Sequence, residues 1–207
     1  MTMMPARPRI GFLASHNGTN MRVIVSAMRA GALNADPAVL ISNNRDSTAI
    51  AWAREHSVPH SHISAKVTGS DEATDAAIAV TLREHGADLV VLAGYMRKLG
   101  PVTLKAYHRR ILNVHPALLP KFGGQGMYGA FVHEAVLKAG ESETGVTIHI
   151  VDGEYDHGPI VAQARVEVVP GDTAASLAGR VQAREQTLYP EVLKKIISGE
   201  IDLDRLA

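Results

Sequence analysis

The feature that most constrains the fold of this chain is a regular alternation between short apolar runs and longer helical patterns. Each run has the length of a strand that is buried on both faces, and turn residues bound it. The runs lie at residues 9–14, 39–42, 88–93 and 111–115, and the helical patterns between them lie at 20–30, 47–56 and 70–85. Strands that alternate with helices pair in parallel, so the pattern predicts an α/β fold with a mostly parallel sheet.

The last part of the chain has a different pattern. Residues 131–139 have helical periodicity, whereas residues 145–151 and 159–169 alternate as strands do. Residues 173–197 predict a long C-terminal helix that is disturbed at Pro190. The Gly-rich stretch from Lys121 to Gly129 has little periodicity, which predicts an ordered loop or a lid.

The composition excludes several classes of protein and of site. The chain has 207 residues and is 46% hydrophobic, which supports one domain with a sizeable core. Lys and Arg total 21, as do Asp and Glu, so no positive field favours nucleic acid. The absence of cysteine excludes disulfides and thiolate chemistry and agrees with a cytoplasmic location. No apolar run approaches the ~18 residues of a membrane span, and no signal peptide is expected. The oligomeric state stays open, and a homodimer is compatible with the sequence.

An amide and an imidazole come together at the end of the fourth apolar run. Asn113 and His115 are two residues apart in a strand, so they project from the same face. Pro116 has no N–H to donate and ends the strand there, which leaves both side chains at its carboxyl edge, where α/β proteins bind ligands. An amide donor stabilises an oxyanion and a histidine moves a proton, so the pair indicates acyl-type transfer. The alternative is a structural histidine, which is the common role of an isolated imidazole.

Asp156 stands in a turn with Gly158 and Pro159 and has two interpretations. The plain one is an exposed aspartate that forms the turn. The functional one places the carboxylate beside His115, where it would raise the pKa of the imidazole.

A polar turn from Ser15 to Asn20 separates the first strand from the first helix. The free N–H groups and the dipole of a helix N-terminus favour an anion, and a phosphate monoester is the natural ligand. The alternative is a turn in which Thr19 or Asn20 caps the helix. The turn contains a single glycine, so it is neither a G-x-G-x-x-G motif nor a Walker A loop. The sequence therefore gives little reason to expect a dinucleotide cofactor.

Three further groups of residues each have a functional and a structural interpretation. Gln182 and Glu185 are three apart on one helix face and either reach one ligand or form a solvated surface. The segment from Tyr95 to Leu99 follows a buried strand and either meets a flat heterocycle or packs in the core. Histidines at 115, 133, 149 and 157 lack the compact spacing of a metal motif, so no metal is expected.

Taken in order, these motifs resemble those of the glycinamide ribonucleotide formyltransferases, the folate-dependent enzymes of purine biosynthesis. The resemblance extends over almost the whole chain and rests on HNGTN at 16–20, LAGYMR at 92–97, NVHP at 113–116, LLPK at 118–121, GVTIH at 145–149 and DHGP at 156–159. It implies a Rossmann-like three-layer fold with helices on both faces of the sheet and mixed pairing toward the C terminus. It also implies a single domain, 1–207, with a nucleotide-phosphate-binding half at about 8–100 and a catalytic and folate-binding half at about 101–200.

The resemblance implies an activity and a role for each motif. The activity is transfer of the formyl group of 10-formyltetrahydrofolate to the amine of glycinamide ribonucleotide, without a metal. Asn113, His115 and Asp156 would be catalytic. The residues implied to bind ligands are Gly18, Thr19 and Asn20 for the phosphate, Gln182 and Glu185 for the same substrate, and Met96, Arg97, Lys98, Leu99, Val151, Asp152 and Gly153 for the folate. The peptide bond before Pro120 is implied to be cis.

The sequence departs from the family at His16, where many members have glycine, and in the loop 123–129, which is longer than in some relatives. Two related enzymes, methionyl-tRNA formyltransferase and formyltetrahydrofolate hydrolase, share the Asn, His and Asp pattern but normally carry an additional domain. Outside this superfamily, the alternatives are a noncatalytic nucleotide-binding module and a regulatory protein that retained the fold.

Overall fold

A computed structural model describes residues 4–206 and contains one seven-stranded sheet. The strands lie in the order β3-β2-β1-β4-β5-β6-β7. The first five in the chain are parallel, and β6 and β7 are antiparallel to their neighbours. Their bounds are β1 (Arg9–Ala14), β2 (Asp36–Ser42), β3 (His60–His62), β4 (Leu89–Leu92), β5 (Ile111–His115), β6 (Glu143–Ile150) and β7 (Ile160–Glu167). The predicted parallel sheet with mixed pairing toward the C terminus is confirmed.

Helices cover both faces of this sheet. Their bounds are α1 (Thr19–Arg29), α2 (Thr48–Glu55), α3 (Ala65–Thr68), α4 (Asp71–Glu84), α5 (Pro101–Ala106), α6 (Ala130–Lys138) and α7 (Ala174–Ile197). One apolar core joins the sheet to α1, α2, α6 and α7, and a second core joins the other face to α4 and its neighbours. The three-layer arrangement implied by the resemblance is therefore present.

Strand β1 shows why the apolar runs were continuous. Ile10 and Phe12 lie in the first core, whereas Leu13 lies in the second, and all three are fully buried. A strand with core on both faces has no exposed positions at which polar residues would alternate. Because β1, β4 and β5 are parallel neighbours, their carboxyl ends meet at one edge of the sheet. This edge lies next to β1, where the strand order reverses.

The structure differs from the sequence predictions in two places. The edge strand β3 and the short helix α3 were missed, because three polar residues and a single turn give no periodic signal. Strand β2 begins at Asp36 rather than at 39. The long helix predicted over residues 173–197 is present as α7. It continues through Pro190, although proline cannot donate to the Gln186 carbonyl, because buried residues on both sides of the proline hold the helix in the core.

In the part of the chain that the structure describes, no helix is long and apolar enough to cross a membrane.

Candidate active site

Two segments that are far apart in the chain bring the predicted trio together. Asn113 and His115 project from one face of β5, as expected from their spacing. Asp156 belongs to the loop between β6 and β7, and its Oδ2 lies 3.4 Å from Nδ1 of His115. Only 3% of the surface of His115 is exposed, so the contact is largely shielded from solvent. The interpretation of Asp156 as a solvent-exposed turn residue is wrong.

The backbone around Asp156 is constrained. Its φ of +58° lies in the left-handed region, which aspartate tolerates better than most residues. Gly158 follows, and a Cβ there would lie 1.8 Å from the carbonyl oxygen of Ile150. The amide N–H of Gly124 donates to Oδ2 of Asp156 over 2.9 Å. The backbone of this turn therefore directs the Asp156 carboxylate toward the interior of the protein.

A fourth residue, His149 on β6, completes this group and was not predicted to have a role there. It pairs with Asn113 across the two strands, and Nδ2 of Asn113 lies 3.1 Å from Nε2 of His149. Nδ1 of His149 lies 3.0 Å from the carbonyl oxygen of Ile150, and because a carbonyl oxygen only accepts, Nδ1 is the donor in this contact. His149 therefore fixes the orientation of the Asn113 amide and leaves its second N–H free. The only sequence signal was the GVTIH segment itself.

His149 also faces the carboxylate. Its Nε2 lies 3.5 Å from Oδ1 of Asp156, so Asp156 stands between two imidazoles. Burial raises the pKa of Asp156, but the contacts with His149, His115 and the Gly124 N–H outweigh it, and the pKa is lowered overall. Asp156 is consequently ionised at neutral pH.

Two opposed effects set the pKa of His115. Burial lowers the pKa of His115, and this effect exceeds the rise caused by the Asp156 carboxylate and the carbonyl of Phe122. The expectation that the Asp156 carboxylate raises the pKa of His115 is confirmed for that contact, although burial makes the net change a lowering. The ring is neutral in the free protein at pH 7.

The glycine-rich loop begins against this site. Nε2 of His115 lies 2.7 Å from the carbonyl oxygen of Phe122 and donates to it. A Cβ at Gly123 would lie 2.4 Å from Cδ2 of Leu119 and 3.3 Å from Cβ of Asp156, so any other residue there would require the Leu119 side chain to shift. Both nitrogens of His115 thus face protein oxygens, and the loop starts from a fixed position. The Leu119–Pro120 bond that precedes it is cis, as the resemblance implied.

The polar turn leads into helix α1, and its cap is a glycine. Gly18 occupies the N-cap with φ +58°, and no side chain caps the helix there. The alternative in which Thr19 or Asn20 caps the helix is therefore wrong. Since the first N–H groups of α1 have no side-chain acceptor, they remain available to an anion. Outside the helix, the hydroxyl of Thr48 donates to Oδ1 of Asn17 over 2.8 Å and holds the turn.

Helix α7 approaches the start of α1 and brings two predicted residues into contact. Nδ2 of Asn20 donates to Oε2 of Glu185 over 3.1 Å, and Oδ1 of Asn20 is buried without a partner. Burial raises the pKa of Glu185 to about 7, and the hydrogen bond from Asn20 only partly opposes it. Gln182 is exposed on the same helix. The structure thus joins Asn20 to Glu185 but does not bring Gln182 into this contact.

The predicted folate residues lie on two segments that face each other. Leu99 is buried and belongs to the same apolar core as the half-buried Val151. Around them, Met96, Arg97, Lys98, Asp152 and Gly153 are exposed. One cavity of about 550 Å³ is lined by residues of α5 and by Val151, Asp152 and Gly153. A second, of about 450 Å³, is lined by Lys98, Gly124 and the segment around Tyr155.

The four histidines considered as metal ligands do not converge on a common point. His115 and His149 contact Asp156, whereas His157 is exposed and lies 3.4 Å from Glu154. His133 is buried on α6. Within residues 4–206, no group of three histidine or carboxylate side chains has a geometry that could hold a metal ion.

Comparison with known proteins matches residues 8–193 to the formyl transferase family. A phosphoribosylglycinamide formyltransferase of Arabidopsis thaliana is 40% identical over 95% of this chain and 68% of its own length. The crystal structure of a glycinamide ribonucleotide transformylase from Symbiobacterium toebii superposes with a TM-score of 0.88 at 38% identity, covering 95% of this chain and 90% of that one. The crystal structure of a formyltetrahydrofolate deformylase from Pseudomonas syringae superposes with a TM-score of 0.82 at 25% identity. This match covers 93% of this chain and 62% of the deformylase.

Proposed function

This chain belongs to the formyl transferase family, and on that premise we propose that it transfers the formyl group of 10-formyltetrahydrofolate to the amine of glycinamide ribonucleotide. The products are formylglycinamide ribonucleotide and tetrahydrofolate, as in de novo purine biosynthesis. The observation that carries the proposal is the convergence of Asn113, His115 and Asp156, with His149 bridging the amide and the carboxylate. These are the groups that formyl transfer requires: an oxyanion donor, a proton carrier and a carboxylate.

The first chemical step places negative charge on the formyl oxygen. The amine nitrogen attacks the formyl carbon, and the electron pair of the carbonyl bond moves to oxygen. One N–H of Asn113 is directed to His149, and the second donates to this oxyanion. His115 is neutral before the reaction and becomes positively charged near this oxyanion only when it shares the proton that the attacking nitrogen loses.

The second step moves a proton and breaks the bond to the folate. The attacking nitrogen carries a positive charge after the first step and must lose a proton. Asp156 is ionised and accepts it, directly or through water, and His115 shares it. The proton ends on folate nitrogen N10 as the bond between N10 and the formyl carbon breaks. Positioning both substrates in one cleft supplies roughly 7–11 kcal/mol in favourable cases.

The ribonucleotide is proposed to bind along helix α1. Its phosphate would meet the uncapped N-terminus formed by Gly18, Thr19 and Asn20, whose backbone N–H groups point out of the helix. Glu185 would then accept from sugar hydroxyls, because it lies 3.1 Å from Asn20 on the same side of the site. Gln182 is proposed to bind the same substrate from the exposed surface of the helix, three residues before Glu185.

The folate is proposed to lie between residues 96–99 and 151–153. The two cavities beside these segments and the apolar pair Leu99 and Val151 support that position. A flat heterocycle buries well against such side chains, while backbone groups of both segments recognise its edge. The 10-formyltetrahydrofolate is a cosubstrate, and the proposal needs no metal. A reducing compartment such as the cytoplasm is proposed only because the chain has no cysteine.

The test is a direct assay with both substrates. Purified protein is mixed with glycinamide ribonucleotide and 10-formyltetrahydrofolate, and formylglycinamide ribonucleotide is detected by mass spectrometry, with His115→Ala as the control. Formate release that does not depend on the amine would support the hydrolase instead. Binding of both substrates without turnover by the unchanged protein would support a noncatalytic module.

A further inference from the structure

The ends of three strands meet at the hydroxyl of one buried serine that the proposed mechanism does not use. Ser15 follows β1 and is 2% exposed. Its hydroxyl donates to Oδ1 of Asn43, just after β2, over 2.6 Å. It also accepts from the backbone N–H of Met96, beyond the end of β4, over 2.8 Å. A third hydrogen bond, from the backbone N–H of Ser15 to the carbonyl of Gly94, is 3.0 Å long.

These bonds join the two segments proposed to bind different substrates. Ser15 is the first residue of the turn that leads to the N-terminus of α1. Met96 begins the exposed part of the folate segment, and Gly94 precedes it with φ +78°, a conformation that glycine adopts more readily than other residues. The side chain of Asn43 directs the proton of the serine hydroxyl away from Met96, so a lone pair is available to the Met96 N–H.

We propose that Ser15 is a positioning residue that couples the two substrate sites, so that ordering of the phosphate turn by ribonucleotide also orders the segment that holds the folate. The proposal rests on the proposed function. Coupling of this kind is reciprocal, and each substrate must raise the affinity for the other by the same factor. A merely structural serine would change stability but would leave that factor unchanged.

Thr48 provides a matched control on the same turn. Its hydroxyl donates to Oδ1 of Asn17 over 2.8 Å, so it also holds the phosphate turn, but it has no bond to the 94–96 segment. Thr48→Val therefore removes one turn contact without touching the connection to Met96. Asn43→Ala is a second test variant, because it removes the acceptor that orients the serine hydroxyl and leaves the hydroxyl itself in place.

The experiment measures equilibrium binding of tetrahydrofolate with and without glycinamide ribonucleotide, by calorimetry under reducing conditions. This pair contains no formyl group, so no reaction occurs and binding alone is measured. The unchanged protein is expected to bind tetrahydrofolate ~5-fold or more tightly in the presence of the ribonucleotide. Ser15→Ala is expected to reduce that factor to about one and to raise the KM for both substrates by ~5- to 30-fold.

Each result either supports or contradicts the coupling through Ser15. Asn43→Ala is expected to weaken the coupling in the same direction, and it decides alone if Ser15→Ala does not fold. Thr48→Val is expected to raise the KM for the ribonucleotide while the coupling stays intact. The proposal is overturned if the unchanged protein shows no coupling, if Ser15→Ala or its substitute Asn43→Ala keeps it, or if Thr48→Val abolishes it. Failure of the proposed function is seen separately, as no formylated product in the turnover assay.

Discussion

The two ends of the proposed active site are built in different ways. At the phosphate end, one continuous segment forms a turn and the first turn of α1, and the groups offered to a ligand are backbone N–H groups behind Gly18. At the catalytic end, side chains from β5, β6 and the β6–β7 loop converge on Asp156. The first end depends on local conformation, and the second depends on the register of two antiparallel strands.

This difference predicts how each end responds to change. A backbone site loses little when one side chain is altered, unless the alteration changes the conformation of the turn. A side-chain site loses a specific donor or acceptor with each substitution. The catalytic end should therefore show large effects on kcat, and the phosphate end should show effects on KM and on stability.

Removing the oxyanion donor should have the largest effect. Asn113→Ala is expected to lower kcat by ~10²–10³ and to keep the fold, because one preorganised donor is lost. Single-turnover kinetics and circular dichroism measure the two quantities. Asn34→Ala is the control, since the amide of Asn34 bonds an exposed backbone carbonyl far along the chain. Near-normal turnover of Asn113→Ala would remove Asn113 from the mechanism.

The buried carboxyl of Glu185 should change stability with pH. Its folded pKa of about 7 lies above the unfolded value near 4.5, so the folded protein binds this proton more tightly. The contribution to stability is present below pH 4.5 and is lost as the pH rises through 7. Glu185→Gln should therefore be more stable than the unchanged protein at pH 8 by up to ~3 kcal/mol, and should show no such gain at pH 4.5.

Urea titrations at the two pH values measure this difference. Glu191→Gln is the matched control, because Glu191 lies on the same helix with 57% of its side chain exposed. An equal change in the free energy of unfolding at both pH values would show that burial does not perturb Glu185.

The orienting histidine should have a smaller effect than the amide it orients. His149→Phe removes the acceptor of the Asn113 N–H and should lower kcat by ~5- to 30-fold, the equivalent of one or two hydrogen bonds. His157→Gln is the control, because 69% of the His157 side chain is exposed. If His149→Phe matched Asn113→Ala in severity, His149 would have a direct part in the chemistry.

At the phosphate end, a methyl group at Gly18 should affect binding rather than turnover. Gly18→Ala forces a φ of +58° on alanine and places its Cβ 3.1 Å from that of Ala49. We expect a loss of ~1–2 kcal/mol in stability and a modest rise in the KM for glycinamide ribonucleotide. Gly31→Ala has φ +72° with nothing within 4 Å, so it should lose similar stability without a change in KM. A kcat effect in Gly18→Ala alone would contradict the separation of the two ends.

The pH profile should show the smallest effect. The pKa of His115 is lowered by burial, so kcat/KM should stay level down to below pH 6.5 and fall as His115 becomes protonated. Asp156 opposes this lowering, and Asp156→Asn should move the acid limb to still lower pH while also reducing the rate. A shift of the limb to higher pH would show that Asp156 does not support the charge of His115.

Much of the fold was readable from local patterns. The apolar runs of β1, β4 and β5 identified buried strands, because strands covered on both faces contain few polar residues. Strand β3 could not be predicted from the sequence, since its three polar residues form a strand only by pairing with β2. Helix α7 was predicted as one element despite Pro190, and its packing outweighs the one missing hydrogen bond.

The sequence by itself determined that Asn113 and His115 share a face at the end of a strand and that the Gly18 turn precedes a helix, because both follow from local backbone geometry. Only the tertiary structure decided that His149 orients Asn113, that Asp156 lies between two imidazoles, and that burial outweighs Asp156 in setting the pKa of His115. Strand register, loop closure and desolvation arise from contacts between distant segments, and no local pattern encodes them.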